Sequence, residues 1–187
     1  MFQLNESDRQ DLLRVARESV HACLHGQPSP LQKAASGVLS EVHGAFVSIH
    51  KRHELRGCIG NIHPVNTLMA TVAECAVSAA IADPRFAPMT TDELPHVGFE
   101  ISVLSAMERV IDHKSIEVGR DGLYISKRSS RGLLLPQVAI TYGWDRDRFL
   151  AETCRKAGLR DDAWKQEATI FRFSAHVFQE QPSLELS

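Results

Sequence analysis

No apolar run in this chain approaches the ~20 residues that a membrane-spanning helix needs, and residues 1–17 lack the basic stretch and apolar core of a secretory signal. An excess of charge is missing too: 21 Lys and Arg against 23 Asp and Glu leave a net charge of −2. That balance argues against non-specific nucleic-acid binding as the main activity and leaves room only for a focused basic patch. Cysteine is sparse, with four residues at 23, 58, 75 and 154. Their spacing fits neither a paired C-x-x-C metal site nor a dense disulfide framework. Reduced thiols in a cytoplasmic protein are the simplest reading, and neither a metal nor a cofactor is expected.

What is present is enough apolar sequence, 43% of 187 residues, for one globular unit or one with two lobes. Ser7 followed by Gln10 resembles a capping box. Leu12, Leu13, Ala16, Val20, Cys23 and Leu24 then recur at helical spacing, which predicts an amphipathic helix over residues 8–25. Residues 27–37 read as a connector. Residues 44–49 suit a strand, 50–53 a polar turn, and 54–60 a returning strand. Pro64 suits the first turn of a second, alanine-rich helix running to about Ala82, with Cys75 packed inside. Two prolines at 84 and 88 end it. Residues 97–104 alternate as a strand, 119–122 form a tight turn, 123–127 a short strand, and 127–132 a basic loop. Residues 132–136 are extended. Asp145 caps a helix that Gly158 closes, and residues 170–178 alternate as one late strand. The irregular order of helices and hairpin-like strands predicts an α+β fold with a mostly antiparallel sheet flanked by helices. One domain is expected over residues 5–179, with a tail from 180 to 187.

The chemistry concentrates in Leu55-Arg56-Gly57-Cys58-Ile59-Gly60. A cation beside a thiol favours the reactive thiolate, and positions 56 and 58 of an extended strand share a face. Arg56 is therefore placed to reach the sulfur. Two readings of Cys58 stand: a working thiol, or a small apolar filler between closely packed glycines. The spacing of Gly57 and Gly60 is not a dinucleotide fingerprint, which needs a third glycine between a strand and a helix. His50, His53 and His63 are candidates to activate the sulfur, or plain turn residues. Arg85 in Asp83-Pro84-Arg85-Phe86 either pairs with Asp83 or joins Arg56 in gripping a small anionic ligand. Glu100 faces either solvent or a ligand amine. The loop from Lys127 to Arg131 reads as a solvated tip, Cys154 as structural, and Trp144 and Trp164 as packed in the core or between lobes.

Several blocks in order carry a resemblance. The hexapeptide at 55–60, Gly44-Ala45-Phe46-Val47, Asp83–Phe86, Ile116–Gly122, Gly132–Val138, Tyr142-Gly143-Trp144, Cys154, Lys156-Ala157-Gly158 and Trp164 resemble the AMMECR domain family, protein A of the AmmeMemoRadiSam system. The resemblance spans roughly residues 8–178. It implies an α+β fold with a larger sheet lobe, a smaller helical lobe and the hexapeptide near a cleft between them. It also implies a Memo-like protein and a radical S-adenosylmethionine enzyme as partners, and names no reaction. Three functions follow as expectations: a thiol-dependent enzyme or subunit using Cys58, a ligand- or partner-binding module without chemistry, and, against the charge balance, nucleic-acid recognition.

Overall fold

The computed structural model describes residues 3–30, 37–166 and 168–180. Its elements are α1 (Glu6–Leu24), β1 (Ala45–Lys51), β2 (Glu54–Asn61), α2 (Leu68–Ile81), β3 (Val97–Leu104), β4 (Glu108–Arg109), β5 (Gly122–Lys127), β6 (Ser130–Leu134), α3 (Pro136–Thr141), α4 (Arg146–Lys156), β7 (Thr169–Phe173) and β8 (Ala175–Gln179). They form two four-stranded sheets flanked by helices, an α+β fold. The chain divides into two compact units, Met1–Leu104 with His176–Ser187, and Ser105–Ala175. Among the described residues no helix is long and apolar enough to cross a membrane.

In the first unit the strand order is β2-β1-β3-β8. Ala45, Val47 and Ile49 of β1 and Phe99 and Ile101 of β3 alternate inward, each 0 or 1% exposed, into a core shared with Leu12, Val20, Leu68 and Val72 of α1 and α2. The capping box of α1 is made by Asn5 and Asp8, two residues earlier than Ser7 and Gln10 suggest. The second helix begins at Leu68, capped by Thr67, so Pro64 lies in the preceding loop. The first hairpin turns on two residues, Arg52 and His53, with φ of 50° and 68°. Two consecutive left-handed residues match the twist of a tight hairpin, and His50 and Lys51 are thereby strand residues. Most of the expected connector, residues 31–36, lies outside the described residues.

The second unit orders its strands β4-β7-β5-β6, all antiparallel. Leu123, Ile125 and Ile170 pack on Phe149, Leu150 and Cys154 of α4, with Trp144 and Trp164 half-buried around them. Asp145 caps α4 and Gly158 follows it at φ 70°. The basic segment after Lys127 is a two-residue turn, Arg128-Ser129, because pairing resumes at Ser130. Residues 170–178 form two strands instead of one: β7 belongs to the second sheet and β8 to the first, with the break at Ser174. Alternation alone cannot register such a change of sheet, since its period of two continues across the break. Glu180, where a tail is expected to start, is anchored. Its backbone N–H donates to the Phe99 carbonyl (2.9 Å), and its carboxylate receives Arg17 Nε (2.7 Å), Arg17 Nη2 (2.6 Å) and the Phe99 N–H (3.0 Å). The rest of that segment, 181–187, lies outside the described residues.

Candidate functional site

Cys58 sits on β2, the edge strand of the first sheet, on the face opposite α2, and is half-buried. It stands directly across from Ser48 on β1. Its backbone N–H turns away from β1 and donates to Asp83 Oδ2 at 2.9 Å. A cross-strand pair that does not exchange main-chain bonds brings its side chains closest, and Ser48 Oγ donates to Cys58 Sγ at 3.2 Å. On its other side Ser48 is in register with Glu100 of β3. Thiol, hydroxyl and carboxylate therefore stand in one row across three strands.

The outer edge of β2 is closed by the segment that leaves α2. Asp83, 4% exposed, accepts the Cys58 N–H, while Arg85 Nη2 donates to the Cys58 carbonyl at 3.3 Å. The two side chains take the place of a neighbouring strand and leave no free ladder at this point. They are fastened to each other by Arg85 Nε to Asp83 Oδ1 (2.9 Å) and Nη2 to Oδ2 (2.7 Å). Those bonds from Arg85, aided by the Cys58 N–H, hold the Asp83 carboxyl well below the ordinary carboxylate range against the opposing effect of burial.

Arg56 goes elsewhere. The register slips between Ile49 and His50, where Ile49 faces Gly57 and His50 faces Leu55, so Arg56 is left without a partner on β1. A bulge of this kind re-aims a side chain. The Arg56 guanidinium forks onto Glu93, Nε to Oε1 (3.1 Å) and Nη2 to Oε2 (3.0 Å), and also reaches the Ala87 carbonyl (3.0 Å). Lys51 Nζ joins Glu93 at 3.0 Å. The Phe86 ring lies under both guanidiniums, 5.9 Å from Arg56 and 5.4 Å from Arg85. Both arginines of the expected anion grip thus already hold a carboxylate of the protein.

The two glycines are explained by contact. A Cβ at Gly57 would lie 2.1 Å from the Ala79 carbonyl oxygen of α2, and one at Gly60 would lie 2.2 Å from the Phe46 ring. Gly57 lets a helix backbone touch the strand, and Gly60 lets Phe46 fold across it. The histidines are spread out. His50 shares the outer face of β1 with Ser48, and its Nε2 is buried without a partner. His53 is in the hairpin turn, and His63 is exposed beyond β2, its N–H on Asn61 Oδ1 at 3.0 Å. Among the described residues no group of three or more His, Cys, Asp or Glu is arranged to hold a metal.

A model of the AMMECR1 family matches residues 13–178. The chain belongs to the AMMECR1 family. A relative from Thermofilum pendens is 43% identical over 96% of this chain and 93% of its own length. Another, from Methanothermobacter thermautotrophicus, is 40% identical over 95% and 96%. The crystal structure of an uncharacterised protein from Pyrococcus horikoshii matches with a TM-score of 0.89 at 35% identity, covering 96% of this chain and 95% of that one. Within this AMMECR1 chain, Ser48 and Glu93 are the site residues that sequence reasoning overlooked. Ser48 comes opposite Cys58 only through the slip at Arg56, since the two-residue turn alone would set it opposite Gly57. Glu93 carries no local signal, because it meets Arg56 across 37 positions.

Proposed function

We propose that this AMMECR1 protein is a thiol-dependent enzyme or enzyme subunit in which Cys58 is the reacting group. The observation that carries the reading is the Ser48 hydroxyl hydrogen aimed at a half-exposed sulfur whose own backbone is clamped by Asp83 and Arg85. A donor held at 3.2 Å solvates negative charge on sulfur as it attacks an electrophilic carbon. The S–C bond forms, the carbon's leaving group departs with its electron pair, and the thiol proton passes to solvent. The substrate in this reading is a small anionic molecule met by Arg85, whose side chain is 54% exposed and whose Nη1 is not used by Asp83. The free cysteines support the cytoplasm as the setting, and the family resemblance supports a Memo-like protein and a radical S-adenosylmethionine enzyme as partners.

The test is alkylation of the native protein by iodoacetamide, read by mass spectrometry. Cys58 is expected to react well before Cys75 and Cys154, which are buried; burial pushes the Cys75 thiol up to about 11. Ser48→Ala should slow Cys58 alkylation by about threefold to tenfold, the value of one hydrogen bond of roughly 0.7–1.4 kcal/mol. An unchanged rate in that variant, or Cys58 no faster than Cys75, refutes the reading. Anaerobic incubation with the two partners should then leave an adduct on Cys58 that Cys58→Ser lacks. The Arg56–Glu93–Lys51 cluster, two cations on one carboxylate and so positive on balance, favours a second reading, a binding module without chemistry. Cys58→Ser with full pathway output selects it.

A further inference from the structure

The second unit contains a groove of about 450 Å³, lined entirely by its own residues, in which the Ile116–Gly122 block has a place that the Cys58 chemistry does not use. We propose that this groove binds a small molecule through a primary ammonium group. Its volume is within the range of ligand pockets. Its charged lining is three carboxylates, Glu108, Glu117 and Asp121, against two guanidiniums, Arg120 and Arg172. The excess is negative.

The arrangement of those charges selects the ligand. Asp121 is 4% exposed and fully engaged: its Oδ2 accepts the Glu117 N–H at 2.9 Å, and Arg120 Nε and Nη2 reach its two oxygens at 2.8 and 2.9 Å. Arg120 Nη1 also holds Glu117, through Oε1. Arg172 sends Nε (3.2 Å) and Nη2 (3.1 Å) to the same oxygen of Glu108, Oε2, and Nη1 to the Ser115 carbonyl (3.5 Å). Both arginines are thus occupied. What remains is one acceptor on each of two carboxylates, Glu108 Oε1 and Glu117 Oε2, on side chains 68% and 63% exposed. An ammonium carries three donors and no acceptor, so it suits carboxylate oxygens that the arginines leave unengaged. An anion would have to break an arginine pair and enter a negative field. Ala106 and Phe173 supply apolar surface for the ligand's stem.

The experiment uses the full chain and two probes that share a stem, n-pentylamine and pentanoate, at matched ionic strength. Amide chemical shifts are followed by NMR. Pentylamine should cause saturable shifts at Glu108, Glu117 and Arg172, and pentanoate should cause none there. Glu108→Gln and Glu117→Gln should each weaken pentylamine binding about tenfold, the loss of one charge-assisted hydrogen bond, with unaltered circular dichroism. Cys58→Ser should leave it unchanged, which separates this site from the thiol. No saturable shift at about 10 mM, ten times a 1 mM Kd, overturns the proposal. So does pentanoate binding equally well, or a binding curve that neither glutamine variant moves.

Discussion

Replacing Gly57 with alanine puts a methyl carbon 2.1 Å from the Ala79 carbonyl oxygen and 3.1 Å from its carbon. Ordinary contact needs more than 3 Å, so β2 and α2 must separate by about 1 Å, and the obstacle is helix backbone that has no rotamer to change. Overpacking of this kind costs typically 1–3 kcal/mol, and the rigid partner places Gly57→Ala at the upper end, about 3 kcal/mol. Gly60→Ala meets an equally short contact, 2.2 Å, but with the ring of Phe46. A half-buried ring can swing aside, so its cost should be about 1 kcal/mol. Amide hydrogen exchange at Val47 and Ile49 in the central strand measures both, because it reports the opening of the first unit alone. In a Phe46→Ala background the Gly60→Ala cost should nearly vanish while the Gly57→Ala cost persists, a coupling that a double-mutant cycle isolates. Gly57→Ala costing less than Gly60→Ala, or Gly60→Ala indifferent to Phe46, refutes the packing account. Full stability with lost activity would instead make the glycines a substrate surface.

Acid should act through Glu93. Hydrogen bonds from Arg56 foremost, then from Lys51 and the Thr90 N–H, hold its carboxyl at about 2, against burial. A carboxyl depressed by folding stabilises above its unfolded value and loses that contribution as pH falls towards its folded value. The stability difference between the wild type and Glu93→Gln should therefore shrink from about pH 4.5 down to about pH 2, read as urea midpoints; a constant difference refutes it. Glu180→Gln should lower stability by about 1–2 kcal/mol through loss of the charged fork with Arg17, and an unaltered thermal midpoint would show that the latch carries no weight.

Much of the architecture was legible where one signal dominates. The alternation of β1 and β3, the alanine-rich α2, and the Asp145 and Gly158 punctuation of α4 match the elements found. Asp83 and Arg85 are close enough in sequence for their pairing to be read directly. The aim of Arg56 was not readable, because a one-residue slip in pairing undoes the rule that residues two apart share a face. The split of β7 from β8 was hidden for the opposite reason, a pattern that continues through a change of sheet. Short turns made of arginine, histidine and serine, at 52–53 and 128–129, lack the glycine or asparagine that marks such turns.

The second unit, Ser105–Ala175, is threaded between β3 and β8. During synthesis at about 5–20 residues per second, those roughly 70 residues take on the order of 4–14 s to appear. Throughout that interval β3 has only β1 beside it and presents a bare rim of main-chain donors and acceptors, the kind of surface to which a second nascent chain can add. Synthesis of residues 175–180 closes it, with Arg17 waiting on α1 to receive Glu180.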